Sequence, residues 1–249
     1  MESKHLSSAE ISSNFIQRIA NNTYPGRGIV IGQSTTNQWV QVYWIMGRSE
    51  NSRNRIFTSD AHVLRTEAAD PTQVEDPSLI IYRAMQETKN CYIVTNGSQT
   101  DVICQGLDQG QTFETALLSQ AHEPDDPNFT PRISGCTDLR NDEISVKISL
   151  IKASPFDSNR SEHHFFHYHA INAGYGYAIT TYQADGNPLP SFVGSPFITP
   201  LQGSPQQIAD DYWQALNEEN RISLAVKTID PQSRMSTIQI INKYHSKTE

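Results

Sequence analysis

Short apolar runs separated by turn residues recur along this chain, and they restrict it to folds built largely from antiparallel sheet. Residues 28–32 (GIVIG) and 39–46 (WVQVYWIM) are joined by the polar residues 34–37, a spacing that predicts a β-hairpin. Further strand-like runs follow at residues 91–95, 144–151, 165–170, 175–182, 222–229 and 236–242. Because antiparallel neighbours need only short connections, this succession favours sheets of that kind.

Three segments carry helix-start signals, and they are spread between the strand-like runs. Ser7 and Glu10 have the spacing of a capping box, and apolar residues follow at i, i+4 and i+8 on one helix face. Thr112 precedes a second periodic segment that reaches residue 121, and Ser204 with Pro205 precedes a third. Helices interspersed among antiparallel strands predict the α+β fold class.

The composition excludes several classes of protein. A chain of 249 residues, 37% hydrophobic and 18% charged, can bury a core of its own, and no segment reads as a linker between two domains. The formal net charge of −8 argues against nonspecific binding to nucleic acid or to an anionic membrane. We find no apolar run that could span a bilayer and no signal-peptide block, and three cysteines are too few for a disulfide framework. We therefore expect a soluble, cytoplasmic, single-domain protein.

An arginine-rich loop runs against the acidic average. Arg48, Arg53 and Arg55 lie in a polar stretch that contains one acid, Glu50. Guanidinium groups spaced through such a loop suit a phosphate, because each planar fork binds two oxygens at once. Taken alone, the loop is more readily explained as a solvated surface whose arginines pair with carboxylates elsewhere.

Two other polar clusters follow strand-like runs. Residues 96–101 (NGSQTD) gather amide, hydroxyl and carboxylate groups in one turn, which could hold the amide edges of a heterocycle. The alternative is an Asx turn that satisfies its own hydrogen bonds. Residues 130–134 (TPRIS) place Arg132 at the start of a strand, where a salt bridge that closes the loop is the simpler explanation.

The sequence lacks a Walker loop, a GxGxxG turn after a strand, and a GxSxG nucleophile motif. Four histidines, His163, His164, His167 and His169, could place three imidazoles on one strand face, where zinc would fit. Because no carboxylate or cysteine stands at a matching short spacing, a polar sheet face is favoured. We therefore predict no metal site.

Taken together and in order, the motifs PGRGIVIG, GRSENSRNR, IYRAM, YIVTNGSQTD and TPRISG resemble the archaeal-type inosine monophosphate (IMP) cyclohydrolase family, which includes bacterial homologues. The resemblance implies one domain over residues 1–249, with residues 1–23 as a helical extension. It implies a four-layer αββα sandwich like that of N-terminal nucleophile hydrolases, without their self-processing. It also implies a homo-oligomer that needs no cofactor.

The implied activity closes 5-formamidoimidazole-4-carboxamide ribonucleotide to IMP with loss of water, the last step of purine synthesis. In enzyme classification this is a hydrolase of cyclic amidines that runs in the ring-closing direction. This reaction requires that the tethered reactants are held in the right orientation. It also requires a hydrogen-bond donor for the formyl oxygen and an acceptor for the proton that leaves the nitrogen.

Candidate residues for these tasks come from the three clusters and their surroundings. We assign Arg132 or Tyr82 to donate to the formyl oxygen, and Asp101 to accept or relay a proton. Arg48 and Arg55 are expected to clamp the phosphate. The full set assigned to substrate binding is Arg27, Arg48, Ser49, Asn54, Arg55, Asn96, Gly97, Ser98, Thr100 and Thr130.

Two other functions fit the same residues. An amide hydrolase of the related fold would need a free N-terminal nucleophile, and Thr23 precedes PGRGIVIG at the required place. A nonenzymatic nucleotide-binding protein would keep the pocket and bind IMP without catalysing cyclisation.

Overall fold

Two antiparallel sheets stack face to face in the computed structural model, which describes residues 6–74, 81–140, 145–169 and 171–246. The strands are β1 (Gly28–Gln33), β2 (Trp39–Met46), β3 (Ile56–Asp60), β4 (Val63–Glu67), β5 (Arg83–Thr88), β6 (Cys91–Thr95), β7 (Arg132–Asp138), β8 (Val146–Ser154), β9 (Asp157–Tyr168), β10 (Tyr175–Thr180), β11 (Phe197–Pro200), β12 (Arg221–Ile229) and β13 (Ser236–Asn242). The first sheet has the order β11-β10-β1-β2-β12-β13, and the second has the order β3-β4-β5-β6-β7-β8-β9. The expected α+β class with largely antiparallel sheets is confirmed.

The α-helices are α1 (Ser8–Phe15), α2 (Glu50–Arg53), α3 (Gln99–Asp108), α4 (Phe113–Leu117) and α5 (Pro205–Ala215), and all but the single-turn α2 cover the outer faces of the sheets. Helices α3 and α4 pack on the second sheet through a separate apolar cluster, whereas α1 and α5 pack on the first. The layers therefore run helix, sheet, sheet, helix. None of the helices described is long and apolar enough to cross a membrane.

The position of β2 explains why its sequence is apolar throughout instead of alternating between apolar and polar residues. Its residues are buried on both faces. Gln41 points toward the second sheet, where its Nε2 donates to the carbonyl of Tyr92 at 2.8 Å, while Trp44 packs against Tyr212 of α5 on the opposite face. A strand enclosed by a sheet on one side and a helix on the other needs large side chains on both.

The two sheets approach closely where β1 faces β7. A Cβ placed on Gly135 would lie 2.4 Å from Cδ1 of Ile31, so a larger residue here would displace the Ile31 side chain. The close approach lets a single core cluster run through both sheets.

The helix starts are confirmed, and some boundaries differ. Ser7, Thr112 and Ser204 each cap a helix by accepting a backbone hydrogen bond. The helix behind Thr112 ends at Leu117 rather than at residue 121, because the chain then turns toward the 123–130 loop. The predicted strand ends at residues 144 and 170 lie outside the described residues.

The sequence did not predict α3 or the strands β3, β4 and β5. Residues 96–101 were expected to form a turn, but Gln99 begins a ten-residue helix. Its buried residues include Ile103 and Leu107, which are four positions apart and face the second sheet. Tertiary burial therefore outweighs the turn preference of the polar residues before it.

The strand register gathers the connecting loops at one end of the sandwich. Gly28, at the start of β1, pairs with Trp44 near the end of β2 and with Thr180 at the end of β10. In the second sheet, Thr95 at the end of β6 pairs with Ser134 near the start of β7. The loops that carry the arginine and amide clusters therefore leave the two sheets at these paired strand ends.

Candidate active site

A cavity of about 380 Å³ lies where these loops meet. That volume is within the usual range of roughly 300–1,000 Å³ for ligand pockets. Its charged lining residues are Arg27, Arg48, Arg55, Glu123 and Asp125. Its neutral polar lining residues are Tyr24, Ser49, Asn51, Ser52, Asn128, Thr130 and Tyr182.

Arg27 and Glu123 form a buried ion pair in the wall of the cavity. Nη1 and Nη2 of Arg27 donate to the two carboxylate oxygens of Glu123 at 2.9 and 2.8 Å, and Nη1 also donates to the carbonyl of Asn96 at 3.0 Å. Burial works against the Arg27 cation, but the Glu123 carboxylate outweighs it and raises the pKa of Arg27 well above its usual value. Arg27 therefore keeps its positive charge.

Arg55 is a second buried cation, and backbone carbonyls hold it where a carboxylate holds Arg27. It is 5% exposed, and its Nε and Nη2 donate to the carbonyls of Ser52 at 2.8 Å and Met46 at 3.1 Å. Within the residues that the structure describes, Arg55 forms no ion pair with a carboxylate. A buried charge held only by carbonyl dipoles leaves an attractive field for an anion.

Tyr24 lies between the guanidinium groups of the cavity. The Arg48 guanidinium stacks over its ring, with Cζ at 4.8 Å from the centroid. Burial raises the pKa of the Tyr24 phenol, although the positive charges of Arg55, Arg27 and Arg48 oppose the shift. Tyr24 therefore stays protonated and can donate a hydrogen bond.

A pair of phenols lies close to the Arg27 guanidinium. The hydroxyls of Tyr43 and Tyr82 are 2.7 Å apart, and both side chains are buried. Burial, and then the neighbouring Tyr82, raise the pKa of Tyr43 well above its usual value. Tyr82 also interacts electrostatically with Arg27 and Arg132.

Thr130 connects two parts of the cavity wall. Its hydroxyl contacts the Asp125 carboxylate and the Tyr182 hydroxyl, and its backbone N–H donates to Asp125 at 2.6 Å. Burial raises the pKa of Tyr182 to about 12. The 123–130 loop is therefore fixed by internal hydrogen bonds rather than left open.

The amide turn lies behind the cavity rather than in its lining. The Asn96 side chain donates to the carbonyl of Pro131 at 2.9 Å and accepts from the N–H of Ile133 at 2.9 Å. The Thr100 hydroxyl bonds to that of Thr95 at 2.7 Å, and both side chains are fully buried. These groups hold the second sheet together at the point where Arg27 contacts it.

The remaining residues of this turn are also outside the lining. Ser98 is exposed at the start of α3. Asp101 forms an exposed ion pair with Arg83 at 2.8 Å. A Cβ on Gly97 would lie 2.4 Å from Nη1 of Arg132, so the glycine makes room for that guanidinium.

Arg132 is held beside the ion pair of Arg27 and Glu123. Its Nε donates to the carbonyl of Ala121 at 2.9 Å, and its Nη1 donates to Oε1 of Gln99 at 2.9 Å. Burial, and then the Arg27 cation, lower the pKa of Arg132, against the opposing effect of Glu123. Arg132 therefore adds positive charge next to the cavity without lining it.

The structure thus brings five of the predicted binding residues into one cavity: Arg27, Arg48, Ser49, Arg55 and Thr130. It places Asn54 elsewhere, in a reciprocal pair of hydrogen bonds with the backbone of Asp70 at 2.8 and 2.7 Å. The sequence predicted neither of the cavity carboxylates, Glu123 and Asp125. The stretch around them reads as an acidic, proline-containing surface loop, and only its position just before the TPRIS motif could have drawn attention to it.

The histidine strand has its own partners on the opposite edge of the second sheet. His163 contacts the carbonyl of Gln120 at 2.8 Å, and His167 contacts Glu114 at 2.8 Å. In the described ranges, no group of three histidine, cysteine or acidic side chains is arranged to hold a metal ion.

Three guanidinium groups and two carboxylates line one cavity between loops of a two-sheet sandwich, and such a lining can hold a small anionic molecule. Residues 24–233 match the family described as IMP cyclohydrolase-like protein, so the chain belongs to that family. The resemblance drawn from the sequence motifs is confirmed.

Curated relatives of the chain are named IMP cyclohydrolase. The chain is 32% identical over 116 residues to the IMP cyclohydrolase of Haloquadratum walsbyi, covering 45% of this chain and 55% of the relative. It is 29% identical over 124 residues to the IMP cyclohydrolase of Methanosphaera stadtmanae, and the alignment covers 48% of this chain and 60% of the relative. It is 30% identical over 119 residues to the IMP cyclohydrolase of Methanopyrus kandleri, and the alignment covers 46% of this chain and 59% of the relative. The chain thus aligns with little more than half the length of these relatives.

Proposed function

We propose that the protein is an IMP cyclohydrolase, which closes 5-formamidoimidazole-4-carboxamide ribonucleotide to IMP with release of water. The observation that carries this proposal is the buried Arg55 cation, which has no carboxylate partner among the described residues and lines the same cavity as Glu123. A nucleotide phosphate would supply the missing negative charge. Family membership independently favours a purine nucleotide as the substrate.

The phosphate end of the site is formed by Arg55 and Arg48. Arg55 is fixed by two backbone carbonyls, so its free N–H groups are oriented before the ligand arrives. The Ser49 hydroxyl lines the cavity beside it and can donate to a phosphate oxygen, whereas the Ser52 hydroxyl already donates to the carbonyl of Ser49 at 2.9 Å. This arrangement favours a doubly charged phosphate over a neutral group.

The reacting end is formed by Arg27 and Glu123. In the reaction, the carboxamide nitrogen attacks the formyl carbon, and a new C–N bond forms as the formyl oxygen becomes an oxyanion. The Glu123 carboxylate accepts the proton that leaves the nitrogen, and the Arg27 guanidinium stabilises the oxyanion. Return of that proton to the oxyanion gives a ring-bound hydroxyl. Glu123 then takes the proton of the former formamido nitrogen and passes it to the hydroxyl, so that the C–O bond breaks, water departs and the C=N bond of the ring forms, which restores the carboxylate.

This assignment gives Glu123 the role that sequence reasoning gave to Asp101. Asp101 is bound to Arg83 outside the cavity lining, so it lacks access to the reacting nitrogen. Tyr82 also lies outside the cavity lining, but we keep its proposed role as a donor near the oxyanion because, unlike Asp101, it lies beside Arg27. The Asn96 carbonyl is assigned to position Arg27. Arg132, which is held by Ala121 and Gln99 outside the cavity lining, is assigned to hold these loops together rather than to contact substrate.

Other expectations from the resemblance stay part of the proposal. The layer order helix, sheet, sheet, helix supports a likeness to N-terminal nucleophile hydrolases. In the amide-hydrolase alternative, Thr23 would be the nucleophile, but it does not line the cavity, and its carbonyl accepts a hydrogen bond from Asn220. A homo-oligomer and a cytoplasmic location are proposed on the family resemblance alone.

A direct test is a spectroscopic cyclisation assay on the formamido nucleotide, with and without a chelator. We expect turnover in both, with the product identified as IMP by mass spectrometry. Binding of IMP without any cyclisation would instead support the nonenzymatic alternative. An intact mass lacking residues 1–22 together with amidase activity would support the hydrolase.

A further inference from the structure

The outer arginine of the cavity already has a carboxylate partner. Nη1 of Arg48 contacts the carboxylate of Asp185 and donates to the carbonyl of Gly186 at 3.1 Å. The same carboxylate accepts the N–H of Gly186 at 2.9 Å, which fixes it at that position. Asp185 thus occupies part of the surface that Arg48 would offer to an anion.

The inner and outer guanidinium groups therefore differ. Arg55 is 5% exposed and forms no carboxylate pair among the described residues, whereas the Arg48 and Asp185 side chains are 39% and 41% exposed. An anion that enters as far as Arg55 meets a guanidinium that no carboxylate among the described residues neutralises. One that extends outward past Arg48 meets the Asp185 carboxylate.

We propose that Asp185 is a specificity-determining residue that restricts this site to nucleotides with a single phosphate group. The inference rests on the proposed function and adds the means by which one phosphate is distinguished from several. A second or third phosphate would have to lie beside the Asp185 carboxylate, and like charges brought together reduce affinity. Repulsion of the wrong ligand, rather than further attraction of the right one, provides the selectivity.

The test compares the dissociation constants of inosine mono-, di- and triphosphate by calorimetry at low salt, without metal. We expect the wild-type protein to bind the monophosphate most tightly. In Asp185→Asn, we expect the ratio of the triphosphate constant to the monophosphate constant to fall by about fivefold to tenfold, and by less at high salt, because both charges are partly exposed.

Asp210→Asn is the matched control, because it removes the same charge from the exposed face of α5, outside the cavity lining. It should leave the ratio unchanged. If Asp185→Asn changes all three dissociation constants by the same factor, or leaves the ratio of the triphosphate constant to the monophosphate constant as in the wild type, the inference is overturned. The proposed function would stand in either case. If the wild-type protein binds no inosine monophosphate, both are overturned.

Discussion

The two carboxylate oxygens of Glu123 each accept a hydrogen bond from the guanidinium of Arg27, at 2.9 and 2.8 Å. The two residues are 96 positions apart in the chain. A bidentate pair fixes the plane of both groups, so the carboxylate and the guanidinium face the cavity in one orientation. Such preorganisation is what an intramolecular ring closure requires of its enzyme.

Glu123→Gln should lower kcat by about 10²–10⁴-fold with a smaller change in KM, because the amide cannot accept the proton. The measurement is the initial rate of cyclisation. Glu218→Gln, which removes an exposed carboxylate outside the cavity lining, is the control. If Asp101→Asn loses the activity and Glu123→Gln retains it, the earlier assignment of the proton acceptor to Asp101 is the correct one.

Arg55→Met should separate binding from stability. We expect affinity for IMP to fall by at least about 30-fold, which corresponds to the loss of a charge-assisted phosphate contact. The free energy of unfolding without ligand should change by less than about 1 kcal/mol, because a buried cation without a carboxylate partner contributes little net stability. Calorimetry and urea unfolding measure the two effects, and a large loss of stability with unchanged affinity would contradict the phosphate role.

Two single-atom deletions test the phenol pair. Tyr82→Phe should lower kcat by about 10²-fold if its hydroxyl donates to the developing oxyanion. Tyr43→Phe keeps that hydroxyl and removes its partner at 2.7 Å, so we expect a loss of about tenfold or less. Tyr175→Phe, whose hydroxyl bonds to Ser8 on α1, serves as the control. Equal losses in both variants would indicate a structural role for the pair.

Asp138→Asn should destabilise the fold at neutral pH by roughly 2–3 kcal/mol, because this buried carboxylate binds both Arg140 and Lys147. Burial opposes its ionisation, but the hydrogen bonds from Arg140 and Lys147 outweigh burial and lower the pKa of Asp138. A lowered pKa in the folded state contributes stability that is present above the unfolded pKa of about 3.9. That contribution is lost as the pH falls through the folded pKa.

The difference between wild type and Asp138→Asn should therefore be constant above about pH 5 and should shrink below about pH 4. Urea unfolding across this pH range measures it. A difference that does not depend on pH would show that the carboxylate charge is not responsible.

Local patterns in the sequence determined the helix starts at Ser7, Thr112 and Ser204 and the hairpin of β1 and β2. Capping and strand periodicity act between residues that are close in the chain, so they can be read without a tertiary structure. The motif order was also sufficient to identify the family, and it marked Arg48 and Arg55 as candidates. Helix α3 was not predicted, because its polar first residues resemble a turn. The helix is stabilised by burial of Ile103 and Leu107 against the second sheet.

Only the tertiary structure decided which of the marked residues face the cavity. Asn96 was predicted to bind the substrate, but its side chain forms hydrogen bonds with the backbone of Pro131 and Ile133. Glu123 looked like part of an acidic surface loop, but the convergence of loops from both sheets places it against Arg27. Pairing between distant residues depends on how the strands align and how the sheets stack, and no local pattern in the sequence contains that information.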